Sequence, residues 1–164
     1  LEACDLLRSC CYRRFPPLSE AERAWVREFN RRLVRREALA QVEAGADILD
    51  VNVGAAGVDE VALLPQAVQA VMETVDVPVC IDSANPRALK AALEIHRRLA
   101  LEAKPIINSV NGEERSLSQV LPLVREYGTA VIGLTMDENG IPKSEVLRKL
   151  GLKDVDKVLE KLRK

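Results

Sequence analysis

Carboxylates and carboxamides recur at the ends of the apolar runs in this sequence. The run Ala46-Asp47-Ile48-Leu49-Asp50-Val51-Asn52 carries both, at Asp50 and Asn52. Val79-Cys80-Ile81-Asp82-Ser83-Ala84-Asn85 repeats the pattern, as do Pro105-Ile106-Ile107-Asn108-Ser109-Val110-Asn111 and the run from Ala130 that closes on Asp137. A carboxylate accepts hydrogen bonds and a carboxamide both donates and accepts, so a row of them can hold a small ligand by its polar edge. Metal or thiol chemistry has less to work with. His96 is the only histidine and has no His or Cys partner at ligand spacing, so it reads as a solvated helix residue. Cys4, Cys10, Cys11 and Cys80 form neither a disulfide framework nor a paired metal-ligand spacing. No metal site is expected. The thiols read as free cysteines in a reducing, cytoplasmic setting, with Cys80 acting as a small hydrophobe inside its strand.

A row of polar strand ends needs strands that all point the same way. The sequence supplies them. Ser19 with Glu22 forms a capping box, followed by Trp25, Phe29 and Leu33 at four-residue spacing, which predicts an amphipathic helix to about Glu43 with Trp25 and Phe29 anchored in the core. The arginines between Arg23 and Arg36 read as its solvated face. Gly45 stops this helix and the first strand follows at once. A second helix is expected from Asp59 to Thr74, with Pro65 in its early turns, and a second strand over Val77–Ile81. Asn85-Pro86 starts a third helix through an amide cap and a proline at the first helical position. A third strand follows Lys104, a fourth helix carries Leu117, Val120, Leu121 and Val124 to Gly128, and a fourth strand covers Thr129–Thr135. The strand ends at Asp50, Asp82, Asn108 and Thr135 are 32, 26 and 27 residues apart, the length of a βα unit, so all four strands should be parallel.

Composition bounds the rest. At 164 residues and 48% apolar content, one domain with its own core is expected. With 24 basic and 25 acidic residues the net charge is −1, which gives no field favouring nucleic acid or an anionic membrane. No apolar run approaches a membrane span. Spacing places Asp50, Asn52, Asp82, Asn85, Asn108, Asn111 and Asp137 at or just beyond the carboxyl edge of the parallel sheet, facing one opening. Asn85 also suits a helix cap, and Asp50 a loop brace. Asp82 and Asn108 end apolar strands without being obvious caps, and a ligand role is assigned to them.

Four motifs in order carry a resemblance. Gly45-Ala46-Asp47-Ile48-Leu49-Asp50-Val51-Asn52-Val53-Gly54, Cys80-Ile81-Asp82-Ser83-Ala84-Asn85, Ile107-Asn108-Ser109-Val110-Asn111 and Gly133-Leu134-Thr135-Met136-Asp137-Glu138-Asn139-Gly140-Ile141-Pro142 resemble the pterin-binding domain of methyltetrahydrofolate:corrinoid methyltransferases and the folate domain of cobalamin-dependent methionine synthase. The likeness covers about residues 37–142. It implies an α/β fold of parallel βα repeats, a partial TIM barrel of four strands (a half barrel) with helical additions at both ends. It further implies methyltetrahydrofolate as methyl donor and cobalamin, a corrinoid on a partner protein, as acceptor. Under it, Asp82 and Asn108 contact the pterin, whose N3–H and 2-amino group present two adjacent donors to one carboxylate. Asp50 and Asn52 form the floor, with Asn85 and Asp137 alongside.

The family's first-strand motif, Glu-Arg-Ile-Asn-Gly, does not occur, and its later strands have no counterpart here, so the chain corresponds to the second to fifth strands. Beginning at Leu1, it reads as a fragment. Residues 1–17 form an unassigned leader, 18–142 the partial pterin-binding barrel and 143–164 a charged helical tail. The open sheet edges call for the tail, a missing segment or a homodimer to cover them. A dihydropteroate synthase-like pterin enzyme is an alternative, for which Arg87 and Lys90 are the only nearby phosphate-binding candidates. A non-catalytic half-barrel module is another.

Overall fold

The computed structural model describes residues 19–99, 104–136 and Gly140. Within them, eight elements alternate: α1 (Glu20–Glu43), β1 (Leu49–Asn52), α2 (Glu60–Met72), β2 (Val79–Asp82), α3 (Pro86–Leu99), β3 (Ile106–Val110), α4 (Glu114–Tyr127) and β4 (Ala130–Gly133). The strands form one sheet in the order β1-β2-β3-β4, every neighbouring pair parallel. That is the βα repeat expected from the spacing. The expected leader, the tail and Asp137 lie outside the described residues.

Alternation along the strands distinguishes a barrel segment from a doubly wound sheet. Leu49, Val51, Val79, Ile81, Ile107 and Val110 are buried, while Asp50, Asn52, Ala130 and Ile132 on the opposite face are exposed. A doubly wound sheet is covered by helices on both faces and its strands are apolar throughout. Here one face packs on helices and the other holds the polar residues, as in part of a TIM barrel.

Under the covered face, Leu64 and Val68 of α2, Leu89 and Leu93 of α3 and Leu121 and Val124 of α4 meet the strand residues in one core. Each fully buried Leu, Ile or Val contributes about 1.5–3 kcal/mol. The helix starts follow local chemistry. Asp59 caps α2, its carboxylate accepting the Val61 and Ala62 N–H groups, and Asn85 caps α3 through the Arg87 N–H. Pro65 lies within the second turn of α2, past the unpaired N–H groups of the first turn, so it removes the bond that position would donate to the Val61 carbonyl. Gly128 ends α4 with φ 62°, a left-handed conformation that favours glycine.

Two expectations fail. Trp25 and Phe29 are not core anchors: they are 67% and 42% exposed and stack on one another at 5.5 Å. Arg31 and Arg35 of α1 both pair with Glu73, the residue closing α2, which fixes the reason. Where α1 reaches that level α2 ends, so residues earlier in α1 run past their packing partner, and Val34, Ala38 and Val42 make the inward stripe instead. His96 is buried, 8% exposed, because it continues the Leu89, Leu93 stripe of α3.

Candidate functional site

In-register parallel pairing turns separate strand ends into rows. Asn52 is level with Asp82, Asp82 with Asn108, and Asn108 with Ile132. One pleat lower, Asp50 is level with Cys80, and Cys80 with Ile106. Since side chains two apart share a face, both rows stand on the face away from the helices.

The upper row is wired together. Gly54 N–H donates to Asn52 Oδ1 at 2.6 Å, and Asn52 Nδ2 donates to Asp82 Oδ2 at 2.7 Å. The first bond fixes which end of the Asn52 amide is the acceptor, so its NH2 must face the carboxylate. Asp82 is thereby held in place with its Oδ1 free of this bond. Asn108 continues the row, its carbonyl accepting the Ser83 N–H at 3.1 Å, and the peptide after it, Asn108–Ser109, is cis. The β3–β4 register shifts between Asn108 and Val110.

A cleft of about 380 Å³ opens at the carboxyl ends of β2 and β3. Asp82, Ser83, Asn108, Ser109 and Asn111 line one side of it, and Arg115, Ser116 and Gln119 of α4 the other. Its size suits a small molecule, and its wall mixes carboxylate, amide and hydroxyl groups with Val120 and Leu134.

The expected site residues therefore separate into three positions. Asp82 and Asn108 line the cleft, and Asn52 reaches it through Asp82. Asp50 lies in the lower row beside Cys80. Burial, then the hydrogen bond to Asp50 and the charges of Asp50 and Asp82, push the Cys80 thiol up to about 12, so it stays protonated. Asn85 holds the turn into α3, its amide oxygen taken by Arg87 N–H at 3.1 Å. Arg87 and Lys90 are exposed and do not line the cleft.

Sequence reasoning passed over Ser83 and Glu60. Ser83, 5% exposed, donates its hydroxyl to Glu60 and accepts the Asn85 N–H at 3.0 Å. A buried serine directly after a strand-end carboxylate was a usable signal. Glu60 resembled any acid in the first turn of a helix and gave none.

Comparison with known proteins gives this geometry a context. Residues 26–163 match the family model described as pterin binding enzyme. The chain is 34% identical over 121 residues to a methylcorrinoid:tetrahydrofolate methyltransferase of Eubacterium limosum, covering 73% of this chain and 43% of that protein. It is also 34% identical over 105 residues to methionine synthase of Mycobacterium tuberculosis, covering 61% of this chain and 8% of that protein. The chain thus spans less than half the length of either relative. Neither the fold nor these relatives supports the expected homodimer. No helix among the described residues is long and apolar enough to cross a membrane. A partial TIM-barrel sheet with the four motifs in order, matched by the family model over most of its length, belongs to the pterin-binding enzyme family.

Proposed function

We propose that this chain binds a tetrahydropterin at the carboxyl edge of its sheet and belongs to an enzyme that moves a methyl group between N5 of that pterin and the cobalt of a corrinoid protein. Residues 18–142 form the binding unit. The observation that carries the reading is the level row Asn52–Asp82–Asn108, with Asn52 bonded to Asp82, beside a cleft of about 380 Å³. Asp82 accepts the pterin N3–H and 2-amino donors. Asn52 already donates to its Oδ2, but a carboxylate oxygen has two acceptor positions, so that bond steadies the group without consuming it. Asn108 continues the contact along the ring, Asp50 and Asn52 form the floor, and Asn85 stands beside the rim.

The task of these residues is to fix the ring so that N5 faces the corrinoid partner, since orientation supplies much of a group-transfer rate. The name of the first relative pairs tetrahydrofolate with a corrinoid and places the methyl on the corrinoid at the outset. The free thiol of Cys80 fits a cytoplasmic enzyme.

Calorimetric titration with methyltetrahydrofolate tests the proposal, with Asp82→Asn as control. The parent should bind, and the variant, presenting an NH2 to two donors, should bind at least tenfold more weakly, about 1.4 kcal/mol. Equal affinity of parent and variant would remove Asp82 from the site.

A further inference from the structure

Asp82 is the residue on which the binding reading turns; Asn52 holds its Oδ2 from β1, and the turn that follows it sets where the end of β2 stands. Immediately after it, Ser83 is held from three directions. Its N–H donates to the Asn108 carbonyl at 3.1 Å, which ties the end of β2 to β3. Its hydroxyl donates to Glu60 Oε2 at the start of α2, and Ser83 Oγ in turn accepts the Asn85 N–H at 3.0 Å, at the cap of α3. Glu60 also borders the loop after β1. A Cβ on Gly54 would stand 3.7 Å from Glu60 Oε1 and 3.1 Å from Asn52 Oδ1. Among the described residues Glu60 forms no ion pair, so the Ser83 hydroxyl is its defined partner.

We propose that Glu60 and Ser83 are positioning residues for the pterin site, a brace that locks the β2–α3 turn and through it the carboxylate of Asp82. The inference rests on the pterin reading above. The brace is a hydrogen bond across three chain segments, and it works through the acceptor oxygen of Glu60, not through its charge. A buried hydroxyl that loses its acceptor must turn elsewhere or stay unsatisfied, and the turn then loses its fixed geometry. Glutamine at position 60 keeps a side-chain oxygen in place; alanine does not.

The test compares Glu60→Ala, Glu60→Gln, Ser83→Ala and Ser83→Thr by calorimetry with methyltetrahydrofolate, each in the full chain with folding checked by circular dichroism. Glu60→Ala should weaken binding about tenfold and Ser83→Ala, which also removes the acceptor of the Asn85 N–H, at least as much; the double variant should be no weaker than Ser83→Ala, since the Glu60 bond is already lost there. Glu60→Gln and Ser83→Thr should stay within about threefold of the parent. Parental affinity in Glu60→Ala overturns the brace, and equal losses in Glu60→Gln and Glu60→Ala overturn the acceptor argument. A parent that binds no pterin defeats the functional reading instead. The side-chain amide resonances of Asn52 then decide the brace by themselves: they should move in Glu60→Ala and Ser83→Ala and stay in Glu60→Gln, and an unmoved Asn52 in all variants overturns it.

Discussion

At the scale of single residues, Cys80 and Asp82 show how one strand presents two opposite characters. Both lie on the face away from the helices, two positions apart, but Cys80 is 5% exposed and Asp82 borders the cleft. The lower-row neighbours Asp50 and Ile106 flank the thiol, and burial followed by the Asp50 carboxylate keeps it protonated to about 12. The native thiolate population at pH 8 is then roughly a thousandth of that in the unfolded chain. Alkylation of Cys80 by iodoacetamide, followed by mass spectrometry at that residue, should be slow in the native protein and fast in urea. Comparable rates in both states would show the strand face to be open. Sign matters for stability too. A raised folded pKa stabilises the fold below the thiol's ordinary range and loses that contribution as pH climbs toward 12.

At the scale of elements, the joint between α3 and α4 carries the clearest titration. Tyr127 Oη donates to Glu94 Oε1, Arg97 pairs with the same carboxylate at 2.7 Å, and the guanidinium lies 4.9 Å over the Tyr127 ring. The Tyr127 hydrogen bond first, then Arg97, hold the Glu94 carboxyl below its usual range, while burial and Glu94 push Tyr127 up to about 12. The Glu94 contribution is present above the ordinary carboxylate range and lost as pH falls through the lowered value. The Tyr127 contribution is present below about 10 and lost as pH rises to about 12. Melting temperatures should therefore fall less on acidification from about pH 5 to 3 in Tyr127→Phe than in the parent. Identical slopes would remove the joint from the acid response. Packing makes a plainer prediction: Leu89→Ala, at a position with 0% exposure, should cost about 2–5 kcal/mol in urea denaturation.

Much of this level was legible in the sequence. Apolar runs, Pro86 after Asn85 and the Gly45 and Gly128 stops located the strands and helices within a few residues. The expectation of equivalent strand ends at Asp82 and Asn108, 26 residues apart, agrees with their level register across β2 and β3. Trp25 and Phe29 misled because a helical stripe says which side of α1 is apolar and nothing about where α2 ends. His96 misled because residue type outweighed its place on the α3 stripe. Glu60 was invisible because its partner, Ser83, is 23 residues away in the chain.

At the scale of the molecule, the described sheet has two edges and one uncovered face. β2 and β3 each have a strand on both sides, while β1 and β4 pair on one side only. Amide hydrogen exchange should accordingly be slowest in Val79–Asp82 and Ile106–Val110 and faster in Ala130–Gly133. Protection of β4 equal to that of β3 would mean that a further segment pairs along its outer side. The uncovered face includes Ile132 and Leu134, 40% and 42% exposed, and Leu134 lines the cleft. In a TIM barrel the face of a strand opposite the helices points into the barrel interior, where side chains from several strands pack in layers.

The unbroken register from β1 to β3 makes the sheet a ruler. Adjacent strands lie about 4.8 Å apart, so the polar groups of Asn52, Asp82 and Asn108 stand at graduations that the backbone sets and side-chain rotamers only trim. A ligand read by this row is measured by its width as well as by its donors. Rings longer or shorter than the interval lose one contact for each graduation they miss. Inserting a single residue before Asp82 would move the mark to the opposite face of the sheet and erase it altogether.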